Sequence, residues 1–364
     1  MKIKFIKKEL LDGLNLIQKF VAKQSHLTTL QGVCFKSNQM GLKLIATNLE
    51  LGAEIIISGQ IDDYIEISGV VDVKVLTESL KYFSGENIIL TLTDQKITAT
   101  SSEQELDLAL MVSDDFPSLP ENQGQKFEVN LNNLKNSLEK ILFCVNRNNA
   151  RPELSGIYCD LYNNQIILAA SDSFRLAQAI TTFSGDQKST QLLPWRLCQE
   201  ILGLNLEEEM VKIYLTEHQI VLEWSYGRII SRLLEGSFPA YKNIIPTKFN
   251  LNITLIKADF LQAVQGALAI ATGPIQETKL KINPQAGTVN LESHYQQSSH
   301  KATVACQGEG EELLIALNVR YLSEGVAHIP EEVLTLKASG SVQPLMIFGG
   351  ENKENFYLLM PLQN

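Results

Sequence analysis

Apolar and polar residues alternate with a period of two over residues 1–6, 127–131 and 249–255, and each alternating stretch runs into one with helical spacing. Over 8–23, Leu10, Leu14, Ile17 and Val21 recur at i, i+4, i+7 and i+11, and Leu134, Leu138, Ile141 and Val145 do the same over 134–147. The third helix of this kind is expected over 258–271. Second helices are expected at 71–83, 194–204 and 318–329. Strand pairs follow at 88–93 with 96–101, 211–215 with 219–224, and 334–338 with 345–348, with turn residues between the members of each pair. The whole pattern repeats three times. Phe116-Pro117 and Phe238-Pro239, each closing a unit, stand 122 residues apart. A period that long marks whole domains of one design and not a stacked array. The reading is an α+β chain of three similar domains, 1–121, 122–246 and 247–364, each with two helices packed on antiparallel sheets.

A hydrophobic content of 45% and a charged content of 20% suit an ordinary globular chain. No run approaches the length of a membrane-spanning helix, and residues 1–6 enter a strand directly, without the apolar core of a signal segment. Cys34, Cys144, Cys159, Cys198 and Cys306 are odd in number, scattered and free of any CxxC spacing. That usage fits buried free thiols in a reducing cytoplasm, the expected location.

The net charge is −10, which is not the usual footprint of a nucleic-acid binder. Its distribution matters more. The three domains carry 11 basic against 17 acidic residues, 12 against 13, and 8 against 11, so the deficit is shallowest in the middle domain. Basic residues fall on or beside predicted helices: Lys8, Lys19 and Lys23; Lys74 and Lys81; Lys140, Arg147 and Arg151; and Arg196 next to Trp195. Acids gather elsewhere, at Asp62-Asp63, Asp114-Asp115, Glu207-Glu208-Glu209 and Glu309, Glu311 and Glu312. Solvated helix faces account for each lysine singly. Taken together, the faces could hold DNA by its phosphates while the acidic remainder repels it. The third domain offers only Lys257, Gln262, Gln265 and Arg320 at the matching places.

Catalytic patterns are missing from the sequence: there is no GxGxxG, GxxxxGK[ST], HExxH or GxSxG. His26, His218, His294, His300 and His328 have no ligand or triad spacing and read as surface or loop residues. Asp62-Asp63 and Asp114-Asp115 leave open a metal-dependent nuclease, which activity in Mg²⁺ would reveal. No metal or cofactor is expected.

Five segments carry a family resemblance. Ala46-Thr47-Asn48-Leu49-Glu50, the stretch Ala170 to Ala177 (ASDSFRLA), the stretch Glu235 to Pro246 (EGSFPAYKNIIP), the stretch Ile315 to Leu322 (IALNVRYL) and Tyr357-Leu358-Leu359-Met360-Pro361-Leu362 occur in the order and spacing of the bacterial DNA sliding clamp, the beta subunit of DNA polymerase III. The resemblance spans the chain. It implies a non-catalytic processivity factor: two chains joined head to tail into a ring of six like units around duplex DNA, helices lining the hole.

The same resemblance implies sites. A pocket for partner peptides, between the second and third domains, would be lined by Leu154, Ser171, Ser173, Phe174, Arg175, Leu176, Pro239, Asn243, Ile244, Leu358, Met360, Pro361 and Leu362, with Arg175 orienting the peptide. DNA would meet Lys19, Lys23, Gln24, Lys74, Lys81, Lys140, Arg147, Asn148, Arg151 and Arg196. The ring joint would set Leu106 and Leu108 of one chain against Ile270 and Ala271 of the next. Implied partners are double-stranded DNA, the replicative polymerase, a clamp loader, repair proteins carrying clamp-binding peptides and a second copy, with no membrane. A clamp-like scaffold with weakened DNA function is the alternative raised by the few basic residues of the third domain.

Overall fold

A computed structural model of the chain describes residues 1–147, 151–273, 275–350 and 354–363. They form two compact units, Met1–Leu131 with Gly203–Leu233, and Asn132–Leu202 with Leu234–Asn364. Among the described residues no helix is long and apolar enough to cross a membrane.

In the first unit the helix α1 spans Lys7–Ile17 and buries Leu10, Leu14 and Ile17. It ends sooner than its apolar spacing predicts. A 3-10 turn, Gln18–Phe20, follows and puts Phe20 in the core, leaving Val21 half-buried beyond it. Helix α2 spans Val73–Lys81 and is capped by Asp72, whose carboxylate accepts from the backbone N–H groups of Lys74 and Val75. The cap satisfies donors that a helix start otherwise leaves open.

These helices accompany two antiparallel sheets. One has five strands in the order Gln60–Ile61, Lys2–Ile6, Asn87–Leu92, Lys96–Thr100 and Glu105–Ala109. Its last strand is an edge. The other runs from Gln125–Asn130 through Met210–Leu215, Gln219–Trp224 and Gly227–Arg232 to Leu51–Ser58, Gly41–Thr47, Val33–Asn38 and Ser68–Val71. The register Ile230↔Gly52 joins strands from two of the sequence repeats into one sheet.

In the second unit α3 spans Leu131–Glu139, well short of the predicted 134–147. Ile141, at φ −126°, leaves the helix, and a 3-10 turn takes up Leu142–Cys144. Ile141, Leu142, Cys144 and Val145 are all buried. A helix would point consecutive members of that run to different faces, and the turn lets all four reach the core. Lys140 and Arg147 are therefore not a heptad pair on one helix. Helix α4 spans Trp195–Leu202, α5 spans Lys257–Ile270, and α6 spans Val319–Ala327 with Asn318 as its N-cap.

The main sheet of this unit orders Ser189–Pro194, Gly156–Tyr162, Gln165–Ser171, Arg175–Ser184, Phe356–Leu359, Leu345–Gly349, Val333–Ala338 and Leu251–Ile256, all antiparallel. A four-stranded sheet, Ser298–Ala305, Thr288–Tyr295, Glu277–Asn283 and Leu313–Asn318, completes it. The pairing of Arg175–Ser184 with Phe356–Leu359 fixes the site described next.

Candidate functional site

The short strand Phe356–Leu359 is buried along its whole length. It lies between two partners, with Leu358 opposite Leu176 on one side and opposite Met346 on the other. Leu176, Leu358 and Met346 belong to an apolar cluster with Ala169, Tyr241, Phe348 and Phe356, and the half-buried Tyr158, Phe238, Ile245, Phe249 and Met360 pack against it. Tyr158, Phe238 and Tyr241 meet edge to face or tilted, with centroids 5.5–5.9 Å apart. The Tyr241 hydroxyl donates to Gln178 Oε1 at 2.8 Å. Burial pushes the Tyr241 phenol well up, so it stays a neutral donor.

The sequence-derived pocket residues thus divide by depth. Leu176 and Leu358 are fully buried and form a floor. Leu154, also buried, ends the 3-10 turn Pro152–Leu154. Ser171 is buried and its hydroxyl donates to the Arg175 carbonyl at 2.8 Å. These four are core and not open walls. The exposed surface is offered by Phe174, 61% exposed, by Ile244, 47% exposed, and by Ser173, Pro239 and Asn243. Met360 and Leu362 are half-buried and Pro361 is buried. The N–H of Met360 donates to the Phe174 carbonyl at 2.9 Å, and that of Leu362 to Ala316 at 2.8 Å, which pins the terminal segment.

Arg175 departs from its expected role as a peptide-orienting group. It is 7% exposed. Its Nε donates to Asp172 Oδ2 at 2.9 Å, Nη1 to Glu324 Oε2, and Nη2 to the Phe143 carbonyl at 2.9 Å. The guanidinium also stands over the rings of Phe143, 5.4 Å away, and Tyr321, 4.3 Å away. Burial works against its charge, and the negative groups around it, Glu324 and Asp172 among them, outweigh that. His328, expected at an ordinary surface, is exposed yet stacks on Phe143 at 4.2 Å.

The proposed DNA residues are placed as follows. Lys19, Lys23, Gln24, Lys74 and Lys81 are exposed in the first unit. Lys19 sits in the 3-10 turn, Lys23 and Gln24 lie past it, and none is on α1 itself. Lys74 and Lys81 are both on α2, where Lys81 pairs with Glu78 at 2.6 Å. In the second unit Arg147 and Arg196 approach one ring, that of Trp195, at 5.0 and 5.7 Å. Arg151 donates to Ser173 Oγ at 3.1 Å. Lys140 is half-buried, and Asn148 lies outside the described residues. Of the joint residues, Leu106 and Leu108 alternate as the half-buried positions of the edge strand Glu105–Ala109. Ile270 is half-buried at the end of α5. Ala271 is 3% exposed in the isolated chain, so its side chain cannot offer a surface to a neighbour.

Reading the sequence missed Tyr158, Gln178, Tyr241, Met346 and Glu324. The unbroken apolar run from Leu345 to Phe348 was a signal of a buried strand and so of Met346, and the Phe238–Tyr241 aromatic pair a signal for another. Glu324 gave none, because its partner is 149 residues away. A cleft of about 550 Å³ in the first unit is lined by Glu54, Glu208, Lys212, Glu223, Trp224 and Arg228 among others. Its charges are largely engaged: Arg228 reaches Glu54 at 3.1 Å and Glu208 takes the Ser225 N–H. Among the described residues no three of His, Cys, Asp and Glu come together in a metal-binding group.

Comparison with known proteins places this architecture. Models of the N-terminal, central and C-terminal domains of the DNA polymerase III beta subunit match residues 1–120, 128–240 and 242–363. Curated relatives include the beta sliding clamp of Synechococcus elongatus, 25% identical over 100% of this chain and 99% of that one. The beta sliding clamp of Bacillus subtilis is 24% identical over the whole of both. The fold is that of the Thermotoga maritima DNA polymerase III beta subunit, with a TM-score of 0.93 at 24% identity over 100% of this chain and 99% of that one. It is also that of the Pseudomonas aeruginosa sliding clamp solved bound to griselimycin, with a TM-score of 0.94 at 20% identity over all of both chains. This chain belongs to the DNA polymerase III beta subunit family.

Proposed function

We propose that the chain is a sliding clamp, a non-catalytic processivity factor that encircles duplex DNA as a head-to-tail homodimer. It tethers a replicative polymerase, and other proteins carrying a short clamp-binding peptide, in the cytoplasm. The observation that carries the reading is the match of all three family domains, in order, over nearly the full chain. It supports a three-domain order, with the proposed bounds at 1–121, 122–246 and 247–364 close to the matched segments though the second match breaks earlier, at 240–242, and it disfavours the scaffold and nuclease alternatives.

The apolar cluster around Leu176, Met346, Leu358 and Met360 supports docking of a peptide containing Gln and a Leu-x-Leu or Leu-Phe end. Exposed Phe174, Ile244 and Pro239 form the rim, and the flexible Met360 thioether adapts to the guest. Lys23, Gln24, Lys74, Lys81, Arg147, Arg151 and Arg196 remain the proposed phosphate contacts, with Arg147 and Arg196 held beside Trp195. The loader is one further partner of the same peptide site. The ring joint is assigned to the edge strand Glu105–Ala109, since an open edge with apolar Leu106 and Leu108 requires a cover.

Light scattering tests the assembly. The mass in solution should be about twice the 40.6 kDa of one chain. A chain that stays monomeric at micromolar concentration would overturn the ring.

A further inference from the structure

We infer that Arg175 serves the peptide site without touching the peptide: paired with Asp172 and with Glu324 of α6, it is a lock that positions the turn 171–175 and, through that turn, Phe174 and Met360. The inference rests on the docking site proposed above.

Three observations lead to it. First, the guanidinium is buried and engaged at each of its three nitrogens. Nε, Nη1 and Nη2 have acceptors in Asp172, Glu324 and the Phe143 carbonyl, and both the arginine and Asp172 side chains are largely withdrawn from solvent. An incoming peptide finds no open donor face there. Second, the acceptors come from three places: the 3-10 turn after α3, the turn 171–175 itself, and α6. The bond to Glu324 ties this turn to a helix remote in sequence.

Third, the turn needs holding. Ser173 has φ +80°, a left-handed conformation that a serine adopts at a cost. Asp172 Oδ1 accepts from the N–H groups of Phe174 at 3.0 Å and Arg175 at 3.1 Å, while its Oδ2 takes Arg175 Nε. One carboxylate thus shapes the turn and anchors it. What the turn presents is Phe174, a large aromatic held mostly in solvent, and the Phe174 carbonyl that receives the Met360 N–H. Asp172 remains as a counter-ion when Glu324 is removed, but the charge-assisted bond that ties the buried guanidinium to α6 is lost, so loss of Glu324 should loosen both ends of the site. Glu324 is a positioning residue.

The test uses the full-length chain, a fluorescein-labelled peptide containing Gln and ending in Leu-Phe, and amide hydrogen exchange. Glu324→Ala should weaken peptide binding about tenfold, or about 1.4 kcal/mol. Glu324→Gln, which keeps an acceptor for Nη1 but not the charge, should lose about threefold, since charge-assisted bonds are roughly twice as strong as neutral ones. In a Phe174→Ala background Glu324→Ala should cost less than about twofold, because residues acting through one element are not additive. The Met360 amide should exchange about tenfold faster in Glu324→Ala, by the same 1.4 kcal/mol, while Ile213 in the first unit is unchanged. Full additivity with Phe174→Ala, or wild-type exchange at Met360 in a Glu324→Ala protein of normal melting temperature, would overturn the lock. A wild-type chain that binds no such peptide would refute the docking site, and the exchange rate at Met360 would then decide the lock by itself.

Discussion

Met360 stands half-buried where the apolar cluster meets solvent, its backbone fixed by Phe174. Burying two large side chains of a peptide against it would contribute roughly 3–6 kcal/mol, a large part of the about 8 kcal/mol of a micromolar complex. Met360→Asp should abolish peptide binding in a calorimetric titration, because the new carboxylate would lose water without gaining a partner. Wild-type affinity in that variant would refute the site. Gly325 makes a second residue-scale case. A Cβ there would run into the Tyr357 ring, whose hydroxyl is tied to the Tyr321 carbonyl at 2.9 Å. Alanine is the better helix former, yet Gly325→Ala should destabilise by about 1–3 kcal/mol through overpacking, seen as a lower melting temperature. The cysteines offer a third check. All five are buried, and burial pushes the Cys159 thiol up to about 12, so thiol reagents at pH 8 should label the folded chain only as fast as it opens. At this scale the sequence announced residue types but not depth. Leu154, Leu176 and Leu358 read as pocket walls and are core, since a motif does not say which side of a sheet faces solvent. Arg175 read as a contact and is a buried hub, since Glu324 adjoins it only after folding.

At the scale of elements, strands and their turns were the most legible, because a period of two and a turn residue are local signals. The helix ends were less so. The apolar stripe continues past Ile17 and past Glu139, but the chain leaves the helix at both places to bury Phe20 and, in the second case, Ile141, Leu142, Cys144 and Val145. Such exits are decided by which arrangement fills the core, and the stripe alone cannot show them. Asp72 caps α2, and Asp72→Ala should cost about 1 kcal/mol, read from denaturant unfolding. The edge strand carries a pH signature. Lys96, donating at 2.6 Å, and Thr98 hold the exposed Asp107 carboxyl below the usual range. A lowered folded-state value stabilises above the ordinary carboxylate pKa and is lost as pH falls through the folded value. The protection of amides in Glu105–Ala109, corrected for the intrinsic slowing of exchange in acid, should therefore fall on acidification below the ordinary carboxylate range, and Asp107→Asn should remove that dependence. On the same strand, Leu108→Lys should convert dimers to monomers by burying an unpaired charge. A dimer that survives the change would move the joint elsewhere.

For the whole molecule the repeat of about 122 residues was readable at once, and three family domains match in the same order. The charge pattern was readable only in part. Helix-face lysines were expected at Lys19 and Lys140, and each stands beyond its helix, while the approach of Arg147 to Trp195, beside the adjacent Arg196, joins residues distant in sequence. The functional account requires few strong DNA contacts, because a closed ring is retained by topology while phosphate contacts weaken with salt. The most direct measurement loads the chain onto nicked circular DNA and follows retention in high salt before and after linearisation. The account predicts that rings persist on the circle and are lost once an end is opened. Equal loss from circular and linear DNA, with salt alone setting the rate, would contradict it.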